Sequence, residues 1–135
     1  MAESGKPIPS PTDAVRPFWQ GCSVGTLRLR RCNDCERWRG PSRIVCECGR
    51  ADFTWTDAKG RGEVFSYTVV HRAPDPAFRG DVPYVVAVVA LAEGPHLLAN
   101  VIDCAPETVS VGLPVQAVFE TVAPDIGIAR FKPLA

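Results

Sequence analysis

Four cysteines in the first half of the chain have the spacing of metal ligands. The first pair, Cys32 and Cys35, is C-x-x-C. The second pair, Cys46 and Cys48, follows after ten intervening residues and is C-x-C. Four thiolates can surround one zinc ion tetrahedrally at about 2.3 Å each, which leaves no position for water. The sequence therefore predicts a structural zinc ion, Zn(2+), held by these four side chains.

The second pair departs from the usual spacing, because one residue rather than two separates its cysteines. A single intervening residue forces a tighter bite on the metal, so two alternatives stay open. One is a ribbon that folds without metal, and the other is a redox function for Cys32 and Cys35. Cys22 and Cys104 have apolar neighbours, so we interpret them as small buried hydrophobic side chains.

Motifs for autonomous catalysis are missing from the sequence. It contains no G-x-G-x-x-G, no P-loop, no H-E-x-x-H and no G-x-S-x-G. The two histidines, His71 and His96, are expected at strand ends or on the surface. The acidic residues are scattered over predicted turns, where solvated carboxylates are usual. We therefore assign no catalytic residue.

A group of arginines surrounds the cysteine pairs. Its members are Arg28, Arg30, Arg31, Arg37, Arg39, Arg43 and Arg50. Guanidinium groups can bind phosphates or an acidic partner, although ordinary solvated charges are an equal alternative. Residues 1–62 hold 11 basic and 7 acidic side chains, net +4, whereas residues 63–135 hold 4 and 8, net −4. The acidic second half disfavours nucleic acid as the partner.

The elements that position these residues differ between the two halves. Residues 1–12 are predicted to be a flexible proline-rich lead, and residues 13–59 a short helix followed by the cysteine ribbon. Thr12 or Asp13 would cap the helix, whose apolar positions include Phe18 and Trp19 and which ends near Gly25. The third segment, residues 60–135, is rich in β-branched residues.

Five strands are predicted in this third segment, with no helical pattern of any length. They cover residues 63–72, 83–92, 96–104, 114–122 and 128–132, and the last two are separated by a turn at residues 125–127. Closure removes exposed strand edges, so a small closed or half-closed barrel is expected. The fold class is therefore mainly β.

Composition limits the compartment and the partners. The longest apolar run, residues 82–92, is much shorter than the roughly 20 residues of a membrane span. No secretory signal pattern opens the sequence, so we expect a cytoplasmic protein with reduced cysteines and no membrane partner.

Taken in order, several segments resemble the DUF35 family. They are residues 17–19, 27–35, 46–49, 60–72, 82–87, 112–115 and 130–133. The resemblance runs from about Arg16 to Pro133 and implies an N-terminal helix, a rubredoxin-like zinc ribbon and a C-terminal five-stranded OB-fold barrel. Family ribbons generally have C-x-x-C at both knuckles with glycine after each, whereas here Glu36 follows the first pair.

The resemblance also implies a function. DUF35 proteins accompany thiolase-like enzymes that act on acyl-CoA thioesters, as separate subunits or fused to hotdog-fold hydratase domains, and they can line the coenzyme A channel. The leading hypothesis is an accessory subunit of an aldolase, a C–C lyase that cleaves steroid side-chain CoA thioesters with a lipid-transfer-protein-like subunit. Arg72 and Arg79, with the ribbon arginines, are the candidate contacts to coenzyme A. The alternatives are a partner of an acetyl-transferring thiolase complex and a nucleic-acid-binding module.

Overall fold

The computed structural model describes residues 6–134, and these contain one α-helix and eight strands. The elements are α1 (Arg16–Ser23), β1 (Leu27–Cys32), β2 (Trp38–Arg39), β3 (Phe53–Ala58), β4 (Arg61–Val70), β5 (Tyr84–Leu91), β6 (His96–Val101), β7 (Pro114–Ala123) and β8 (Ile126–Pro133). No helix in this part of the chain has the length and apolar character needed to cross a membrane. Five residues of the predicted flexible lead lie outside the described range.

The first three strands form a small antiparallel sheet in the order β2-β1-β3. On the central strand, Leu27 and Leu29 are buried in the core of the molecule, and Cys32 at its end is buried under the second cysteine pair. β3 runs into β4 after only two residues, Lys59 and Gly60. The ribbon sheet is thus joined to the following strands by a short connection.

The remaining five strands close into a barrel in the order β4-β5-β6-β8-β7, with β7 pairing back to β4. All pairs are antiparallel except β6 with β8, which is parallel. Burial alternates strictly along β5, where Val85, Ala87, Val89 and Leu91 face the interior. In a closed barrel, residues that face the interior alternate along each strand with residues that face outward. The predicted OB-fold barrel, and with it the mainly β fold class, is confirmed.

The β7–β8 turn is tighter than the sequence indicates. Ala123 pairs with Ile126, so the connection is Pro124 and Asp125 alone, and β8 begins two residues before the predicted start at residue 128. Asp125 has a φ of 62°, a left-handed conformation that aspartate tolerates better than most residues. This conformation allows the chain to reverse within two residues.

Helix α1 packs against the barrel strands β7 and β8 and also against the ribbon strand β1. An added Cβ on Gly127 of β8 would lie 2.3 Å from the backbone of Cys22 and Ser23, so the glycine permits a close approach of helix and strand. Thr121 donates its hydroxyl to the Ser23 carbonyl at 3.1 Å. The buried helix residues Phe18 and Cys22 belong to the same hydrophobic cluster as the barrel interior.

The predicted cap of this helix is wrong. The N-cap position is Val15, and no side chain accepts a hydrogen bond there. Asp13 instead accepts from the Arg16 guanidinium at 2.7 Å, and Thr12 contributes only its backbone carbonyl, to Val15 N–H. Helix α1 is short and lacks a side-chain cap, so its packing on the barrel stabilises it, as tertiary packing stabilises most short helices.

The division of the chain at residues 59 and 60 remains a prediction.

Candidate metal centre and exposed barrel face

The two cysteine pairs converge on one point between the ribbon loops. All four Sγ atoms lie within 4.8 Å of one another. Cys32 Sγ is 3.7 Å from Cys48 Sγ, and Cys35 Sγ is 3.4 Å from Cys46 Sγ. Four sulfurs at the usual zinc distance occupy a tetrahedron with edges of about 3.8 Å. These side chains therefore fit a closed four-thiolate metal site, and in the described range no other group of three or more potential ligands occurs.

Both cysteine loops close with the same hydrogen-bonding scheme despite their different lengths. In the first, Cys32 N–H donates to the Arg37 carbonyl at 2.8 Å, and in the second, Cys46 N–H donates to the Arg50 carbonyl at 2.8 Å. The C-x-C loop is simply one residue shorter. The residue after each pair is left-handed, with φ of 65° at Glu36 and 88° at Gly49. Glu36 thus adopts the conformation that a glycine would take at this position without strain.

The four cysteine thiols differ in pKa. The backbone N–H of Cys35 donates to Cys32 Sγ and lowers the pKa of Cys32 to about 6. The N–H of Arg37 favours the Cys35 thiolate, but burial and the neighbouring thiols outweigh it and raise the Cys35 pKa to about 12. The pKa of Cys46 is likewise lowered and that of Cys48 raised. Ionising all four groups together requires a cation, which a bound zinc ion would supply.

Arg39 holds the loop that carries the second cysteine pair. Its side chain is only 4% exposed. The guanidinium donates to the carbonyls of Arg43 at 2.8 Å, Ile44 at 3.0 Å and Ala51 at 2.8 Å. These three acceptors flank Cys46 on both sides in sequence. One buried cation therefore fixes a loop that has almost no regular structure of its own.

Arg30, on the central strand of the ribbon sheet, is also buried and bonded to backbone carbonyls. It is also 4% exposed, and its guanidinium lies 4.4 Å from the Phe53 ring and 4.9 Å from the Trp55 ring. It donates to the carbonyls of Pro41 at 2.6 Å and Ala14 at 2.9 Å. Its bond to Ala14 joins the ribbon to the segment before α1. Desolvation by burial lowers the pKa of this guanidinium.

The phosphate-binding interpretation of the arginine group is therefore wrong for two of its members. Arg30 and Arg39 are buried and bonded to backbone carbonyls, so neither is available to a phosphate. Phe53 and Trp55, two positions apart on β3, share a face and pack on these guanidinium groups. Two aromatic residues at strand spacing beside an arginine-rich strand are the signal that would have indicated stacked, buried arginines.

The two candidate coenzyme A contacts lie in one loop, between β4 and β5. Arg72 follows the end of β4 and is exposed. Arg79 is exposed as well, and it donates to the carbonyls of Ala73 at 3.4 Å and Pro74 at 3.1 Å. His71 adjoins them. The structure thus places both arginines in one exposed loop, and their contact with coenzyme A stays a prediction.

An apolar surface covers the outer side of β4, β5 and β6, and we call it the barrel face. Phe65 is 56% exposed and Leu98 is 69% exposed, and the His96 ring stacks 4.5 Å from the Phe65 ring. On the same side of β5, Val88, which pairs with Leu98, and Val86, which pairs with Asn100, are only half-buried. β5 and β6 carry no lysine or arginine. Exposed apolar surface of this kind marks a protein-interaction site more often than a nucleic-acid site.

Together these features define a class of protein: a four-cysteine ribbon joined to a closed OB-fold barrel, with one helix packed on the barrel. A family model described as the C-terminal OB-fold domain of ChsH2 matches residues 55–120. A DUF35 domain-containing scaffold protein of Methanocaldococcus jannaschii is 38% identical over 121 residues, covering 84% of this chain and 82% of that protein. The chain belongs to the DUF35 family.

Other relatives are larger proteins. The 3-oxo-4,17-pregnadiene-20-carboxyl-CoA hydratase alpha subunit of Mycobacterium tuberculosis is 33% identical over 125 residues, which are 93% of this chain and 39% of that protein. A "Probable enoyl-CoA hydratase alpha subunit" of Thermomonospora curvata is 36% identical over 86% of this chain and 36% of its own length. The chain thus spans little more than a third of these hydratase subunits.

A solved structure resembles nearly the whole chain. A chain of an Ltp2–ChsH2(DUF35) aldolase is similar with a TM-score of 0.81 and 33% identity, covering 93% of this chain and 98% of that chain. The similarity includes the helix, the ribbon and the barrel, since almost nothing of either chain lies outside it.

Proposed function

We propose that this chain is an accessory subunit or domain of a thiolase-like acyl-CoA enzyme complex. The complex that we favour is an aldolase, a C–C lyase that cleaves steroid side-chain CoA thioesters. In this proposal the chain joins the parts of the complex, and the nucleophilic and acid–base groups belong to the thiolase-like, lipid-transfer-protein-like subunit.

The observation that carries the proposal is the similarity to the Ltp2–ChsH2(DUF35) aldolase chain over 93% of this chain. A scaffold protein and two CoA-ester hydratase subunits among the relatives support an accessory function in acyl-CoA chemistry. The pregnadiene carboxyl-CoA in the name of the M. tuberculosis relative supports a steroid-derived acyl group. The greater length of the hydratase subunits supports a hotdog-fold hydratase domain as a further partner.

The barrel face supports a protein partner. Phe65 and Leu98 expose large apolar side chains, and the half-buried Val88 beside Leu98 adds to this apolar surface. A surface of this composition is stabilised by removal from water at about 25 cal/mol per Å². We propose that the thiolase-like subunit covers this face, and that zinc at the four cysteines holds the ribbon in the shape that the complex needs.

Coenzyme A contact is a separate part of the proposal. Arg72 is exposed in the β4–β5 loop, and Arg79 keeps the same loop ordered through two carbonyl bonds. A guanidinium at this position can contact a CoA phosphate when the loop lies against the thiolase-like subunit. Arg72→Ala should then raise the KM for the CoA thioester while leaving assembly of the complex unchanged.

The experiment that tests the proposal is co-expression with the cognate thiolase-like protein, followed by purification and an aldolase assay on a steroid side-chain CoA thioester. We expect a stable complex whose activity requires this chain. Phe65→Asp should weaken the complex at least tenfold, because it buries a charge at the interface. Val24→Asp is the matched control, since Val24 is 68% exposed but follows α1, away from the barrel face.

Three results would contradict the proposal. Full aldolase activity of the thiolase-like protein alone would rule out a required accessory function. Equal loss of binding in Phe65→Asp and Val24→Asp would show that the barrel face is not the contact surface. Turnover of the thioester by this chain in isolation would place the catalytic groups here instead.

A further inference from the structure

Strand β6 has a free backbone edge. It pairs with β5 along its length, from Ala90 with His96 to Val85 with Val101. On its other side it pairs with β8 at a single position, Val101 with Phe131, where Ile102 N–H donates to the Phe131 carbonyl at 2.7 Å. No other pairing of β6 with β8 occurs within residues 6–134. The barrel is therefore closed between these two strands by one pairing alone, and most of the β6 edge has no strand partner.

The alternating direction of the N–H and C=O groups along β6 identifies which of them are free. Along an antiparallel strand, successive residues direct their N–H and C=O groups to opposite sides. Ile102 directs its N–H toward β8, so Asn100 and Leu98 direct theirs to the same side. The N–H and C=O of Leu98 and the N–H of Asn100 have no hydrogen-bond partner in the described part of the chain. These are the groups that a neighbouring strand would pair with.

A cavity of about 700 Å³ opens at this edge. Its apolar lining includes Leu98 and Val86 of the barrel face and Tyr84 at the start of β5. The charged side chains at its rim already form pairs, Lys6 with Asp81 and Arg130 with Glu120. The rim therefore does not require a charged ligand, whereas the backbone edge offers two donors, the N–H groups of Leu98 and Asn100, and one acceptor, the Leu98 carbonyl.

We propose that an extended segment of the thiolase-like partner adds to the Leu98 edge of β6 as an extra strand. This inference rests on the proposed function and names the contact through which the partner binds. Only a polypeptide backbone presents donors and acceptors in the register that Leu98 and Asn100 leave open. Alternate side chains of the added strand would lie on exposed Leu98 and in the apolar cavity beside it.

The test compares two substitutions of one residue in the complex with the cognate thiolase-like protein. Leu98→Pro removes the free N–H and places a ring on the edge, and proline is tolerated where the N–H of a strand faces outward. Leu98→Thr is the matched control, because it keeps the backbone donor and the β propensity while shortening the apolar side chain. Binding is measured by calorimetry, the fold of each variant is checked by circular dichroism, and amide hydrogen exchange of Leu98 is measured with and without the partner.

We expect Leu98→Thr to bind more weakly than wild type, because it loses apolar contact, and Leu98→Pro to bind at least tenfold more weakly than Leu98→Thr, because it also loses the backbone donor. Leu98 amide exchange should slow at least tenfold in the wild-type complex. Equal affinity of Leu98→Pro and Leu98→Thr, or unchanged Leu98 exchange in a formed complex, would overturn strand addition and leave the proposed function standing. Absence of any complex with wild-type chain would overturn both. A wild-type dimer that Leu98→Pro abolishes would assign the edge to a second copy and refute the inference.

Discussion

Replacing Gly127 with alanine should detach helix α1 from the barrel. The added Cβ would lie 2.3 Å from the Cys22 carbonyl carbon and 2.3 Å from the Ser23 nitrogen, and both are backbone atoms. Ordinary carbon contacts have separations of about 3.5 Å, so the helix would have to move outward by roughly 1 Å. No side-chain rotation can relieve this contact, because the obstructing atoms belong to the helix itself.

The loss of unfolding free energy depends on the side chains that the helix buries. Phe18 is 7% exposed and Cys22 is 1% exposed in the docked state. A gap of about 1 Å removes a quarter to a half of the dispersion energy of such contacts, and full exposure of a phenylalanine costs about 1.5–3 kcal/mol. Alanine also stiffens the unfolded chain, which offsets about 0.4–1 kcal/mol. We expect Gly127→Ala to lower the free energy of unfolding by about 1–2.5 kcal/mol.

Urea unfolding followed by tryptophan fluorescence measures this change, and Trp19 on the helix reports detachment directly. Gly80→Ala is the control, because an added Cβ there meets no atom within 4 Å. We expect the control to unfold within about 0.5 kcal/mol of wild type. A Gly127→Ala protein equal in stability to the control would refute the close approach of helix and strand.

Three further predictions concern the ribbon and the barrel. Removal of metal with a chelator, or Cys35→Ser, should unfold the ribbon and abolish stoichiometric zinc in metal analysis, because the short ribbon buries little apolar surface. Arg39→Met should destabilise the chain by about 3 kcal/mol in urea unfolding, since three carbonyls lose a charged donor. Arg130 lowers the pKa of Glu120 from 4.5, so this pair stabilises the fold above the ordinary glutamate range. That contribution is lost as pH falls through the lowered pKa, and Glu120→Gln should flatten the acid limb of the stability curve.

The sequence alone was sufficient for features that depend on local spacing. The four cysteines converge as their spacing predicts, and the β-branched runs of the second half form the five barrel strands. Cys22 is buried as predicted, and burial raises its pKa to about 12. These features depend on residues that are close together in the sequence, so a pattern of residue types is enough to predict them.

Features that depend on distant neighbours could not be predicted in the same way. The buried position of Arg39 is set by carbonyls on a loop without regular structure, and that of Arg30 by aromatic rings on another strand. Likewise the docking of α1 depends on Gly127, more than 100 residues further along the chain. The free edge at Leu98 exists because β6 and β8 meet at one position only, a geometric fact that no local pattern records.

The contact between α1 and β8 has a consequence for how the protein is made. Among the elements of residues 6–134 the helix is synthesised before every strand, whereas β8, the strand that it contacts most, is synthesised after the others. An uncapped eight-residue helix has little stability in water on its own. Helix α1 and β8 therefore acquire their native packing together, once Gly127 has left the ribosome, and nascent chains stopped earlier would expose Phe18 and Trp19 to chaperones.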